Sequence, residues 1–254
     1  MLRPRIVPCL LVKNGGLVKT VKFAAPKYVG DPINAVKIFN EKEVDELTVL
    51  SIDATASGRE PDYQMIRNLA AECRMPLCYG GGIKNEEQAE RIIGMGVEKV
   101  ALSSAAVENP DLVARLARRI GSQSIVVVMD VKRGKGGNEV WTHNGTRRTD
   151  LVAAKFARQV EELGAGEIVV NSIDNDGVMK GYDLDLMNQV RAAVTLPLTA
   201  LGGAGSLNDI RGLIQEFGII GAAAGSLFVF KGVYRAVLIN YPNRMEKDAL
   251  AQNH

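Results

Sequence analysis

Two matched clusters of glycine and serine are the most chemically suggestive residues of this 254-residue chain. Gly80-Gly81-Gly82 with Ser103-Ser104 make the first cluster, and Gly202-Gly203-Ala204-Gly205 with Gly225-Ser226 make the second. Glycine lets backbone N–H groups come close to an anion, and serine adds a hydroxyl donor. One such run is explained equally well by a tight turn. Two matched sets point instead to two phosphate sites, and so to a long ligand with a phosphate at each end.

Such clusters need a scaffold that brings distant segments together. Short, nearly continuous apolar runs recur at 5–12, 46–53, 76–79, 98–103, 124–131, 167–173, 197–201 and 219–224. That pattern fits parallel strands covered on both faces. Helical patterns fall between most of them, at 31–42, 85–95, 111–120 and 150–163. Asp31 before Pro32, and Asn85 before two glutamates, read as helix N-caps. Gly96, Gly121 and Gly164 punctuate helix ends. Eight strand–helix units predict a TIM (β/α)8 barrel, with a doubly wound sheet as the structural alternative. In such a barrel the glycine clusters all fall at the C-terminal strand ends, where active sites lie.

The chain also repeats itself. PLCYGGG at Pro76 returns as PLTALGG at Pro197, and ELTVLSID at Glu46 returns as EIVVNSID at Glu167, both 121 residues later. IVPCLLVK, ending at Lys13, returns as IVVVMDVK, ending at Lys132, 119 residues on. The reading is one domain over 1–254 built of two half-barrels, about 1–121 and 122–254, related by a pseudo-twofold. Composition removes several other classes. A net charge of +2 with no basic block argues against nucleic acid. Three cysteines without a CxxC, and two histidines, argue against a disulfide framework or a metal site and for a reducing cytoplasm. No apolar stretch approaches a membrane span, and no motif calls for a cofactor.

The motifs GGGI at 80–83, GSQSIVVVMDVKR at 121–133, ELGAGEIVVNSIDNDG at 162–177, KGYD at 180–183 and GGAG at 202–205 resemble the cyclase subunit of imidazole glycerol phosphate synthase, HisF. The resemblance covers nearly the whole chain. It implies a heterodimer with a glutaminase (HisH-like) subunit, whose ammonia passes through the barrel to a bisphosphorylated ribulosyl substrate. Ring closure and cleavage then give imidazole glycerol phosphate and an aminoimidazole carboxamide ribotide, a carbon–nitrogen lyase reaction. It implies substrate or phosphate contacts at Lys19, Gly81, Gly82, Ser104, Asp176, Gly177, Gly202, Gly203, Gly225 and Ser226. The segment 17–30 resembles the family's flexible flap, with Lys19 reaching a phosphate. Arg5, Glu46, Lys99 and Glu167 match four charges that ring the barrel bottom as the ammonia gate.

The catalytic match is uneven. The family uses two aspartates, at the ends of strands 1 and 5, as general acid and base. Asp130 supplies the second; the first position is Leu11, whose isobutyl group moves no proton. Ser51 and Ser103 also stand where the family usually has Asp and Asn. Two functions therefore remain open. One is the HisF cyclase of histidine biosynthesis; the other is a cyclase-deficient paralogue that conducts ammonia to an enzyme amidating a surface-polysaccharide sugar. A one-chain sugar-phosphate isomerase on the same repeated barrel also needs a strand-1 carboxylate. Cys9 and Cys78 read as small core residues, NEVWTH at 138–143 as a small hairpin, and EKDALAQNH at 246–254 as a fraying terminus.

Overall fold

The computed structural model describes residues 3–232 and 234–251. Eight strands form the barrel: β1 (Arg5–Lys13), β2 (Leu47–Ser51), β3 (Leu77–Gly80), β4 (Lys99–Leu102), β5 (Ile125–Gly134), β6 (Glu167–Ser172), β7 (Leu198–Leu201) and β8 (Gly221–Ala224). Each pairs in parallel with the next, and β8 closes on β1 through Arg5 opposite Gly221 and Val7 opposite Ala223. All eight runs read from the sequence are strands, and the TIM barrel is present.

Helices cover the outside. Asp31 caps the helix Pro32–Glu41 by accepting from the N–H of Asn34 at 2.8 Å, and Asn85 caps Glu86–Ile93 by accepting from Gln88 at 3.0 Å. Bulky side chains such as Phe39, Leu69, Ile92, Leu116 and Phe156 fill the layer between strands and helices. The barrel interior holds a separate cluster of smaller residues: Cys78, Ala101, Val126, Val128 and Val169. A barrel interior is normally plugged by layers of large branched side chains. Here that filling leaves a narrow internal cavity, lined by Cys9, Thr48, Cys78 and Thr199 together with Val128, Val169, Leu50 and Leu201. Cys9 and Cys78 are buried, as read from sequence, and burial pushes the Cys9 thiol up to about 12, so it is no nucleophile.

The half-barrel repeat is visible in individual hydrogen bonds. The N–H of Asn14, just past β1, donates to Asp53 at 3.1 Å. Its counterpart past β5, the N–H of Arg133, donates to Asp174 at 3.0 Å. Both strands run on into hairpins, with Leu11 opposite Val18 and Asp130 opposite Trp141.

Three local expectations change. The segment 17–30, expected as a flexible flap, is a pair of strands, Gly16–Val21 and Ala24–Gly30; the β-branched Val18, Thr20 and Val21 suit a strand. The helix expected over 150–163 spans Ala153–Glu162, because Arg147–Val152 completes the second hairpin against Gly137–Thr142. The terminus is helical over Arg244–Ala251, with Leu250 buried; residues 252–254 of the expected fraying segment lie outside the described residues. No helix among the described residues is long and apolar enough to cross a membrane.

Candidate functional site

The two barrel ends gather two different sets of residues. At the N-terminal ends of the strands, Arg5, Lys99 and Glu167 are first in β1, β4 and β6, and Glu46 directly precedes β2. Their charged groups meet. Arg5 bridges Glu46 and, at 2.8 Å, Glu167; Lys99 Nζ lies 2.9 Å from each of the same two carboxylates. Thr199 donates its hydroxyl to Glu167 at 2.6 Å and adds a fifth member that the sequence did not signal. Burial raises the Glu167 carboxyl, but Arg5 and Lys99 outweigh it and hold it below its ordinary value. Burial likewise opposes the charge on Arg5 and Lys99, and the two glutamates overcome it. The ring is thus a closed, mutually neutralised lattice in which every charge has two partners.

At the C-terminal ends, one mouth cavity is lined by Lys19, Gly81, Gly82, Ser104, Asp130, Asp176, Gly177, Gly202, Gly203, Gly225 and Ser226. All the residues expected to touch substrate therefore share one site. The glycines have a structural requirement of their own. Gly81 and Gly202 have φ of +115° and +93°, and a Cβ would press on the carbonyl of Ser51 or of Ser172. These are twofold-related positions with twofold-related obstacles.

Asp130 is buried at the centre of this mouth. Asn171 Nδ2 donates to its Oδ1 at 2.9 Å, and Ser103 Oγ to its Oδ2 at 3.3 Å. Burial pushes the carboxyl up to about 7, against these donors, which favour the charged form. A carboxyl poised there can take or give a proton at neutral pH. Asn171 escaped sequence reading, although it breaks the internal repeat, standing where the first half has Leu50.

Lys19 is also buried. Its Nζ donates to the Cys9 carbonyl at 2.7 Å and lies against Gly225, where a Cβ would displace it. Burial lowers its pKa. Among the described residues that carbonyl is its one hydrogen-bond partner, so the group retains donors for an anion beside Gly225 and Ser226.

Asp176 fastens the first hairpin across the mouth. Its carboxylate accepts from Thr20 Oγ1 at 2.7 Å and from the Phe23 N–H at 3.1 Å, while its carbonyl accepts from the Lys22 N–H at 2.9 Å. Thr20 and Phe23 are the other contributors that the sequence did not single out. From the second hairpin, the His143 N–H donates to Ser104 Oγ at 2.9 Å, and the imidazole stands 3.5 Å from Glu108. The neighbouring Asn144 lines the mouth.

Comparison with known proteins gives a consistent family. A family described as histidine biosynthesis protein matches residues 5–235. A Vibrio vulnificus protein provisionally named imidazole glycerol phosphate synthase subunit hisF3 is 61% identical over 249 residues, covering 97% of this chain and 96% of its own length. A Leptospira interrogans protein provisionally named as subunit HisF is 57% identical over 252 residues, covering 98% and 99%. The imidazole glycerol phosphate synthase subunit HisF of Alkaliphilus metalliredigens is 40% identical over 234 residues, covering 92% and 93%.

Proposed function

Since the chain belongs to the HisF family of histidine-biosynthesis barrels, we propose that it is the synthase subunit of a glutamine amidotransferase complex. A HisH-like glutaminase docks at the Arg5–Glu46–Lys99–Glu167 end. Ammonia passes that ring, rises through the interior cavity and is used at the mouth. The observation that carries this reading is the succession of three features along the barrel strands: a charged ring at their starts, a narrow cavity between them, and the buried Asp130 carboxyl, raised to about 7, at their ends. At the mouth, Lys19 with Gly225 and Ser226 on one side, and Gly81, Gly82 and Ser104 on the other, hold phosphates of the ligand.

Two reactions fit that frame. In the first, the ligand is a bisphosphorylated ribulosyl substrate, and ring closure gives imidazole glycerol phosphate and aminoimidazole carboxamide ribotide in the cytoplasm. In the second, the barrel no longer cyclises and passes ammonia to an enzyme that amidates a surface-polysaccharide sugar. Leu11 favours the second. It lines the same mouth as Asp130 and cannot serve as the other half of an acid–base pair. The higher identity to the provisionally named Vibrio and Leptospira proteins than to the Alkaliphilus HisF agrees with a divergent member.

The test mixes the chain with a HisH-type glutaminase, glutamine and the ribulosyl substrate. Both readings expect a stable heterodimer, and failure to associate contradicts their common part. Imidazole product is expected under the first reading alone.

A further inference from the structure

The side-chain oxygen of Asn171 is buried without a hydrogen-bond partner among the described residues. Asn171 is 6% exposed, lines the mouth, and has its Nδ2 committed to Asp130 at 2.9 Å, which turns Oδ1 toward Gly202. A buried acceptor left without a donor is costly. Such an atom in a ligand cavity marks the place of a ligand donor.

Strand register says what arrives there. Val128 and Val169 are paired and line the interior cavity; two residues further on, Asp130 and Asn171 are paired and line the mouth. Across the pseudo-twofold, Cys9 and Thr48 are paired and line the interior, and two residues on, the pair is Leu11 and Leu50. A small polar molecule leaving the interior therefore meets hydrocarbon on the β1–β2 side and hydrogen-bonding groups on the β5–β6 side.

We propose that Asn171 and Asp130 together form the receiving site for ammonia or ammonium at the top of the barrel interior. Asn171 Oδ1 accepts one N–H and Asp130 another, so the nitrogen is held beside the proton-transferring carboxyl and away from Leu11. Asn171 is a positioning residue, and the ligand it selects is a small N–H donor rather than any monovalent cation. This inference rests on the reading that nitrogen rises through the barrel.

The test uses the full chain alone and ammonium chloride, with potassium chloride at equal ionic strength as the cation that donates no hydrogen bond. A ligand that binds only the folded state raises the Tm progressively with its concentration, and Trp141, the single tryptophan, is paired with Asp130 and reports occupancy by fluorescence. Ammonium is expected to raise the Tm more than potassium at equal concentration and to move the fluorescence saturably, which potassium does not. Asn171→Leu, which copies the twofold mate, weakens ammonium about fivefold to tenfold, the scale of one hydrogen bond. Asn171→Ala gives the same loss should the leucine variant not fold, and Asn171→Thr, which keeps an oxygen acceptor, restores binding to within about threefold. Equal responses to the two salts, or an unchanged ammonium response in Asn171→Leu and Asn171→Ala, overturn the proposal. Neither glutaminase nor glutamine enters this measurement, so its outcome is separable from that of the complex-formation test.

Discussion

Leu11 stands on β1 where Asp130 stands on β5. Each is paired with the next barrel strand, Leu11 with Leu50 and Asp130 with Asn171, and each faces a hairpin strand on its other side, at Val18 and Trp141. The repeat that builds the barrel has therefore kept the backbone of both half-sites and the chemistry of one. Of these two twofold-related positions, only Asp130 carries a carboxyl.

Asp130 makes stability depend on pH in a definite direction. Its carboxyl titrates near 7 in the folded protein, against 3.8 for an unburdened aspartate. Between those values the folded state holds more protons than the unfolded state. Stability is thus lost as pH rises from about 4 to about 7, and the full penalty applies above that window. Asp130→Asn removes the penalty, so urea unfolding should show it more stable than the unaltered chain at pH 8, by on the order of 2–4 kcal/mol. No such gain at pH 8 relative to pH 4 contradicts the buried-carboxyl account.

The charge ring should matter to folding and to transport in different ways. Arg5→Ala or Lys99→Met leaves two buried glutamates short of a cation, a loss expected to cost about 3–5 kcal/mol in denaturant unfolding. In the complex, the same substitutions should change glutamine-dependent nitrogen transfer more than transfer from added ammonium salt. Equal effects on both rates would count against passage through the ring.

Asp176 is expected to be the catch that keeps the first hairpin down. Asp176→Ala deletes the acceptor of Thr20 and Phe23, and hydrogen exchange over residues 16–30 should speed up at least about fivefold. Thr20→Val, which removes one of these bonds, should give a smaller acceleration. Unaltered exchange in both variants would mean that strand pairing alone holds the hairpin.

Much of this was legible in the sequence because the barrel leaves two strong signals, buried parallel strands and a 121-residue repeat. The glycine clusters and the four ring charges sit at strand ends, so locating the strands also located them. Asn171, Thr199 and the Thr20–Phe23–Asp176 catch were hidden for a shared reason. Each acts through a partner distant in sequence, such as Asn171 on Asp130 or Thr20 on Asp176, and only folding supplies the pairing. The hairpin at residues 17–30 is hidden behind the resemblance to a flexible flap, because only antiparallel pairing to the end of β1, a tertiary outcome, makes it a strand pair.

The consequence of Leu11 is read by one assay: turnover of the bisphosphorylated ribulosyl substrate with ammonium chloride, comparing the unaltered chain with Leu11→Asp. Loss of a group that transfers a proton typically costs ~10²–10⁴-fold in rate. The unaltered chain is expected to fall below Leu11→Asp by that order. Imidazole formation by the unaltered chain as fast as by Leu11→Asp would contradict it.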